Sequence, residues 1–235
     1  MIEVGCCGYP VARRKYFSKF RMVEIQTTFY NPPRPEVAER WRVEAPKSFG
    51  FTLKAWQLIT HSPKSPTYTK AKLDIPNEKL GSYGFFRPTP EVFNAWEKTE
   101  EIARVLGCKI VVFQSPASFL PTKQNIENMR TFFERIDRKD YVFVWESRGK
   151  WRREKVQEVC SDLNLVDCVD PLKRSPTVGE PAYFRLHGKG GYRYRYSHSE
   201  LQELATLVND LKDGYVMFNN AYMFEDGLRF LQLLK

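Results

Sequence analysis

Ionisable side chains occur within or directly after apolar, strand-like segments of this chain. Glu24 lies inside MVEIQ, Lys54 ends FTLK, Glu146 follows VFVW, and Arg185 and His187 stand two residues apart in FRLH. Because an unpaired buried charge costs several kcal/mol, we expect these groups to face one another in the fold. They predict either a catalytic site or a set of paired ions that holds the strand ends together.

As a catalytic site, the cluster has an identifiable role for each member. Glu24 or Glu146 would be the general base, with a pKa set by burial and by neighbouring cations. Lys54 is a further catalytic candidate, and together with Arg185 it would bind an anion. His187 would serve as a general acid or a metal ligand, unless it is a hydrogen-bonded imidazole at a strand end.

The histidine count limits what metal site the chain can build. His61, His187 and His198 are its three histidines, too few for a histidine-rich site with several zinc ions. A single divalent ion held by Glu24, Glu146 and His187 is an alternative that the sequence leaves open but does not favour. We therefore assign no metal and leave the cofactor unknown.

A basic and aromatic loop follows Arg185 and His187. It contains no acidic residue, and three cations alternate with tyrosines: Lys189, Tyr192, Arg193, Tyr194, Arg195 and Tyr196. In an extended loop one side would bind phosphates and the other would stack on bases. A tyrosine-rich hairpin packed on the rim of the protein is an equal alternative.

Other polar and aromatic residues near strand ends are candidates for contact with a substrate. Gln114 and Asn219 could hydrogen-bond a substrate hydroxyl or base, or could cap neighbouring backbone instead. The remaining candidates are Thr28, Tyr30, His61 and Arg148.

Eight short apolar segments predict the strands that must position these residues. Several are almost continuously apolar, which is typical of parallel strands covered on both faces. The predicted strands are Ile2–Cys6, Met22–Gln26, Gly50–Lys54, Lys109–Gln114, Val142–Trp145, Val166–Val169, Tyr183–Leu186 and Tyr215–Phe218.

Helical spacing fills most of the intervals between these strands. Thr122 is a predicted N-cap, and Ser199 with Gln202 is predicted to form a capping box. The predicted helices are Pro35–Arg42, Pro90–Leu106, Thr122–Ile136, Arg152–Leu163, Ser199–Leu211 and Met223–Leu234. Eight strands alternating with helices predict an α/β protein with a (β/α)8 barrel, in one domain spanning residues 1–235.

Two predicted connections are unusually long. Thr60–Thr89, after strand 3, is a candidate lid, and His187–His198 follows strand 7. Ordinary strand-to-helix connections have about 2–6 residues. Both long loops leave the carboxyl ends of strands, where active sites of such barrels lie.

Composition narrows the class of protein. The net charge of +9 and the pI near 9.3 favour an anionic ligand, with DNA or RNA as the polymeric case. The five cysteines form no CxxC pair, although a Cys160–Cys168 disulfide stays open. No apolar run reaches the ~20 residues of a membrane span, so we expect a cytoplasmic protein without a membrane partner.

Taken together, ordered motifs along the chain resemble the YecE-like family. The matching segments are VEIQTTFY at 23–30, FTLK at 51–54, FQSPASF at 113–119, WESRGKW at 145–151, FRLHG at 184–188 and YVMFNN at 215–220. The first strand, GCCGYP, matches only loosely. The resemblance implies a TIM barrel with a polar pocket and implies no reaction, since the family is uncharacterised.

The sequence supports several competing hypotheses about the function of the protein. The favoured one is an enzyme that acts on a phosphate-bearing substrate, most readily nucleic acid, by hydrolysis or lyase chemistry. A sugar-phosphate enzyme fits the same barrel and lid. A noncatalytic nucleic-acid-binding module would use the basic loops and would not need the buried charges.

Overall fold

Eight parallel strands form the central sheet of the protein in a computed structural model that describes residues 1–234. Their order in the sheet is β6-β5-β4-β3-β2-β1-β8-β7. A parallel bridge links Val169, two residues after β6, to Phe184 on β7 and so brings the two ends of the sheet together in a nearly closed cylinder. The strands are β1 (Ile2–Cys7), β2 (Met22–Ile25), β3 (Gly50–Lys54), β4 (Ile110–Ser115), β5 (Val142–Ser147), β6 (Val166–Asp167), β7 (Ala182–Leu186) and β8 (Gly214–Phe218).

Helices surround this cylinder and confirm the predicted (β/α)8 barrel. The long helices occupy the predicted segments, and α1, α2, α4 and α5 are short additions. The helices are α1 (Arg13–Phe17), α2 (Thr27–Tyr30), α3 (Pro35–Glu44), α4 (Gln57–Thr60), α5 (Pro66–Lys70), α6 (Pro90–Leu106), α7 (Lys123–Arg135), α8 (Arg153–Asp162), α9 (His198–Asn209) and α10 (Met223–Leu233).

The cap of α9 differs from the prediction. Ser197 rather than Ser199 is the N-cap, and it forms the capping box with Glu200 rather than with Gln202. The Ser197 backbone N–H donates to the Glu200 carboxylate at 2.8 Å. A charged acceptor in the first turn also interacts favourably with the helix dipole, which explains the choice of Glu200. The predicted Thr122 cap is confirmed on α7.

Strand β6 is shorter than predicted because the chain turns from β5 towards β7. The Cys168 N–H still donates to the Trp145 carbonyl on β5. One residue later, the Val169 carbonyl accepts from the Arg185 N–H on β7 at 2.9 Å. Val169 therefore bridges two strands instead of extending a regular ladder.

The barrel interior is divided into an apolar part and a charged part. Larger apolar residues pack between the sheet and the helices in the main core. A second apolar cluster, lying inside the cylinder, consists of Cys7, Met22, Ile110, Val112, Val144, Val166, Cys168, Tyr183 and Met217. Further along the strands, towards their carboxyl ends, the inward side chains are polar or charged. We call this end of the cylinder the barrel mouth.

The long connection after β3 is packed rather than open. Tyr68 is buried and donates a hydrogen bond to the His61 carbonyl at 2.8 Å. Phe86 is fully buried, and the Phe86 and Gly84 N–H groups donate to the carbonyls of Ile59 and Leu58 in α4. The predicted lid is thus a segment anchored at both ends, with α5 and a short 3-10 helix at Asn77–Lys79 between the anchors.

Two sequence-level expectations concern cysteines and membranes. All five cysteines are buried and free, so Cys160 and Cys168 are not bonded to each other. Over residues 1–234, no helix combines the length and the apolar character required to cross a bilayer.

Candidate active site at the barrel mouth

Arg185 on β7 is the centre of the charged layer at the barrel mouth. Its guanidinium is fully buried and contacts two carboxylates, with 2.9 Å between Nη2 and Glu24 Oε1 and a short contact from Nη1 to Glu146. Nη1 also donates to Gln114 Oε1 at 3.2 Å. Burial alone would lower the pKa of Arg185, but Glu24 and Glu146 raise it well above its usual value. Arg185 is therefore a permanent cation that links β2, β4, β5 and β7.

Alternation along the strands explains why these side chains meet. Tyr183 and Thr52 lie one layer below, with their hydroxyl oxygens 2.9 Å apart across the barrel. The Tyr183 hydroxyl also donates to Glu24 at 2.8 Å. Since side chains two residues apart share a face of a strand, Arg185 and Lys54 occupy the next layer towards the mouth.

Glu146 connects the buried Arg185 to more accessible groups. One of its oxygens contacts Arg185, and the other lies 2.7 Å from Arg148 Nε and 2.8 Å from His187 Nε2. Burial would raise the pKa of Glu146, but Arg185, His187 and Arg148 together hold it well below its usual range. Glu146 is therefore ionised at neutral pH and accepts from three donors.

His187 is held by groups on both sides of its ring. Nε2 faces Glu146, and Nδ1 lies 3.1 Å from the Asn219 amide nitrogen. Arg148 also lies against the ring, with Nη2 2.6 Å from Nε2. Burial lowers the pKa of His187, and the contact with Glu146 opposes this effect only in part. The imidazole is therefore neutral at neutral pH.

Lys54 has the most perturbed amine of the site. It is 6% exposed, and its ammonium lies 3.6 Å from the centre of the Phe29 ring. Within residues 1–234 no carboxylate or other acceptor is close enough for a hydrogen bond or an ion pair with this amine. Burial, followed by the charge of Arg185, lowers the pKa of Lys54 to about 7, although Glu146 and Glu24 oppose the shift.

A cavity of about 310 Å³ opens beside this layer, at the ends of β5, β7 and β8. We call it the mouth cavity. It is basic, although Lys173 lies 3.6 Å from Asp170 and Lys189 lies 3.0 Å from Glu200. Its side-chain lining comprises Arg148, Lys173, His187, Lys189, Tyr192 and Asn219.

The loop from Gly188 to Ser197 is only partly the extended, two-sided segment that we considered. Tyr196 is buried and its hydroxyl accepts from the Gly188 N–H at 2.7 Å, while Tyr194 bonds to Glu200. These two rings therefore pack on the rim. Tyr192 is 59% exposed, Arg193 is exposed, and Arg195 stacks on Tyr222.

Thr28 and Tyr30, two predicted substrate contacts, form hydrogen bonds with other groups of the protein. The Thr28 hydroxyl is buried, 2.7 Å from the Lys54 carbonyl, so it positions the strand end. Tyr30 faces the segment after β3, where its hydroxyl accepts from Lys70 at 3.1 Å.

His61 is also turned inward. It is buried against Phe29 and bonds to Thr60 at 2.8 Å through Nδ1. Burial lowers the pKa of His61 to about 3, so its imidazole stays neutral. Gln114 and Asn219 are half-buried at the ends of β4 and β8.

Three residues at the mouth escaped the sequence-based list. Gln26 donates to Glu24 and also lies 3.5 Å from Arg185, and Tyr183 fixes the other oxygen of Glu24. Lys173 comes from the connection between β6 and β7, which is itself long. The signal that could have revealed Lys173 is the run DPLKR directly after a predicted strand.

The carboxylates of the mouth are engaged in ion pairs with arginines. Among residues 1–234, no three His, Cys, Asp or Glu side chains are grouped so as to hold an ion. In the ligand set considered from sequence, His187 contacts Glu146, but the guanidinium of Arg185 occupies the space between Glu146 and Glu24.

Comparison with known proteins places this barrel in a family. The model of the family described as "Protein of unknown function DUF72" matches residues 12–235. The chain belongs to the DUF72 family. This agrees with the resemblance to YecE-like proteins, which is an alternative name for the same family.

DUF72 relatives match the whole chain. The UPF0759 protein YunF of Bacillus subtilis is 23% identical, covering 100% of this chain and 95% of that protein. A DUF72 protein of Enterococcus faecalis has a solved structure with a TM-score of 0.73 at 21% identity, covering 100% of this chain and 97% of that one. Endonuclease IV of Thermus thermophilus shares the fold, with a TM-score of 0.59, 13% identity and coverage of 98% and 99%.

Proposed function

We propose that this protein is an enzyme that binds a phosphate group of its substrate in the mouth cavity and acts on an adjoining bond with the Glu146 and His187 pair. The observation that carries the proposal is the position of this pair, at the edge of a basic cavity and above a layer of buried charges. A structural ion pair would not need a cavity beside it. Cations of the cavity supply the electrostatic stabilisation that phosphate chemistry requires.

The geometry favours His187 over the two glutamates as the group that transfers a proton. Glu146 is too weak a base, because three donors hold it ionised. His187 is neutral at neutral pH and presents a nitrogen that can accept a proton. Glu146 then orients the ring and stabilises the imidazolium that forms, as a positioning residue. Glu24 has the same structural contact with Arg185 and lies deeper in the barrel.

Nucleic acid is the first substrate class to test. Arg193 and Arg195 extend the positive surface beyond the cavity, which suits a polymer with several phosphates. The fold shared with endonuclease IV is compatible with such a substrate. Hydrolysis of a phosphodiester or elimination of its phosphate are both within reach of one base and several cations.

A free sugar phosphate is the second candidate, and the size of the cavity favours it. A volume of about 310 Å³ lies at the lower end of the range for small-molecule sites. The site would then enclose one phosphorylated sugar, with no role for the exposed arginines of the loop.

The test compares the unmodified protein with His187→Gln and Glu146→Gln on two panels of candidate substrates, nucleic acids and sugar phosphates. Labelled single-stranded and duplex DNA and RNA are analysed on gels, and sugar phosphates are analysed by chromatography. We expect turnover to be lost in His187→Gln and reduced in Glu146→Gln, while both variants still bind substrate. Absence of turnover by the unmodified protein on both panels, with binding retained, would contradict the enzyme proposal.

A further inference from the structure

Lys54 is a buried amine that the proposed proton transfer does not use. It ends β3, on the inner face of the barrel, one layer above Thr52. The carbonyl of Lys54 is fixed by the Thr28 hydroxyl at 2.7 Å, so the base of its side chain is held in place. The charges that act on the Lys54 amine are those of Arg185, Glu146, Glu24 and Arg148. Lys54 in turn acts on the neighbouring His61.

This amine lacks the partner that a structural lysine would have. Glu24 and Glu146 are the carboxylates of the layer, and both are bonded to Arg185. Lys54 instead faces the Phe29 ring at 3.6 Å. A lysine retained only for stability would be expected to pair with a carboxylate, because an unpaired buried ammonium is costly. The environment therefore favours the neutral amine, which is the nucleophilic form.

We propose that Lys54 attacks the carbonyl carbon of a phosphorylated sugar bound at the barrel mouth and forms a Schiff base with it. The inference rests on the proposed function for the phosphate site and adds the chemical class of the substrate, an aldehyde or ketone. Such a carbonyl occurs in the ring-opened form of a free sugar phosphate and in a nucleic-acid sugar that has lost its base.

The step balances without any further reactant. The neutral amine nitrogen adds to the carbonyl carbon, and the carbonyl oxygen becomes a hydroxyl as one proton leaves the nitrogen. Loss of that hydroxyl with the second amine proton releases one water and leaves the carbon–nitrogen double bond. His187, oriented by Glu146, is the group able to carry these protons between nitrogen and oxygen.

Glu146 also connects Lys54 to the phosphate site. Its carboxylate contacts Arg148 and His187, which line the mouth cavity, and its charge acts on Lys54. Lys54 lies outside the lining of the mouth cavity, so a substrate whose phosphate lies against Arg148 must extend past the Glu146 carboxylate to bring its carbonyl to Lys54. The resulting imine would draw electrons from the sugar, which assists removal of a proton from the adjacent carbon by His187.

Reductive trapping tests the inference directly. The full chain is incubated with cyanoborohydride and either ribose 5-phosphate or duplex DNA that contains one base-free deoxyribose, and the adduct is mapped by peptide mass spectrometry. A trapped sugar adds its own mass less one oxygen to the labelled lysine. We expect the adduct at Lys54, formed at neutral pH because the pKa of this amine is about 7. The arm that labels Lys54 identifies the source of the carbonyl.

Two variants serve as controls. Lys54→Met removes the amine while keeping an unbranched side chain, and we expect the adduct to be lost. Lys109→Met removes an exposed lysine directly before β4, at the end of the barrel opposite the mouth. It should leave the adduct at Lys54 unchanged. Circular dichroism establishes that each variant is folded, and mapping of the unmodified protein is informative even if Lys54→Met does not fold.

Binding of both probes is measured alongside trapping, so that the two proposals can fail separately. Phosphate-dependent binding without an adduct at Lys54, or with labelling spread equally over exposed lysines, would overturn the Schiff-base inference and leave the proposed phosphate site standing. If neither probe binds, both the Schiff-base inference and the proposed phosphate site are overturned. If Lys54 is labelled and inorganic phosphate suppresses this labelling, the result supports both proposals.

Discussion

Burial lowers the pKa of both Arg185 and Lys54, which lie in the same charged layer, but their neighbours make the net shifts opposite. Arg185 is surrounded by two carboxylates that keep it protonated. Lys54 has a ring as its neighbour and a cation close by, so its proton is easily lost. The layer thus combines a fixed charge with a titratable one, and the two respond differently to substitution.

Lys54→Met should change how stability depends on pH. The pKa of Lys54 is about 7 in the folded protein against 10.5 ordinarily, so between these values the unfolded chain binds the extra proton. The free energy of unfolding of the unmodified protein should therefore rise by about 2–3 kcal/mol from about pH 7 to about pH 9.5. Chemical denaturation at both pH values should show that Lys54→Met removes most of this rise.

Lys109→Met is the matched control, because Lys109 is 72% exposed. It should retain the pH dependence of the unmodified protein. If the free energy of unfolding of Lys54→Met rises equally between the two pH values, groups other than Lys54 cause the rise.

Arg185→Met and Arg148→Met separate a structural arginine from a binding one. Arg185 is fully buried between two carboxylates, and breaking such contacts should lower the free energy of unfolding by about 3–5 kcal/mol. The side chain of Arg148 is 38% exposed, so its removal should cost less than about 1 kcal/mol while weakening phosphate binding. Urea denaturation and phosphate titration measure the two effects. Equal losses of stability would contradict this division.

At the scale of elements, the segment after β3 covers one side of the barrel mouth by tight packing. Gly84 has φ +75°, and a Cβ added there would overlap the His61 carbonyl. Tyr68 reaches the same carbonyl with its hydroxyl. The position of His61, beside Phe29 and Lys54, therefore depends on this segment.

Gly84→Ala should lower the free energy of unfolding by about 1–3 kcal/mol, because the added methyl group meets both backbone strain and a steric clash. Gly81 lies in the same segment with nothing within 4 Å of an added Cβ, and Gly81→Ala should leave stability almost unchanged. Thermal and urea denaturation of the two variants provide the comparison. A neutral Gly84→Ala would mean that the segment can rearrange without cost.

The positive charge of the whole molecule matters only where it is concentrated. Residues 1–234 carry exposed cations at both ends of the barrel, such as Arg193 at the mouth and Lys109 at the opposite end. A net charge of +9 would attract a polyanion to either end. Binding at the mouth must therefore be distinguished from attraction to the net charge.

The double substitution Arg193→Ala/Arg195→Ala should weaken nucleic-acid binding and reduce its dependence on salt, since fewer phosphates are neutralised. Arg21→Ala/Lys109→Ala removes the same charge from the opposite end, where both residues line a separate cleft, and should have a much smaller effect. Titrations of labelled DNA and RNA at two salt concentrations measure both. Equal weakening by the two variants would assign the binding to net charge.

The local pattern of the chain determined the barrel and the direction in which its polar residues point. Continuous apolar runs such as IVVF are suited to strands covered on both faces, and the period of two along each strand puts Glu24, Lys54 and Arg185 inside. Glycine, proline and capping residues indicated most helix limits. These features depend on neighbours in sequence, so they can be read without the fold.

The tertiary structure alone decided which charges are neutralised and which remain reactive. Glu24, Glu146 and Arg185 are far apart in sequence, and their pairing depends on the register of β2, β5 and β7 around a closed cylinder. That register leaves Lys54 without a carboxylate, brings Lys173 to the cavity and turns Tyr194 and Tyr196 onto the rim. Contacts across a barrel are set by the stagger of the strands and by closure of the sheet. No local pattern records these, because each strand specifies its own inward face but not its distance from the other strands.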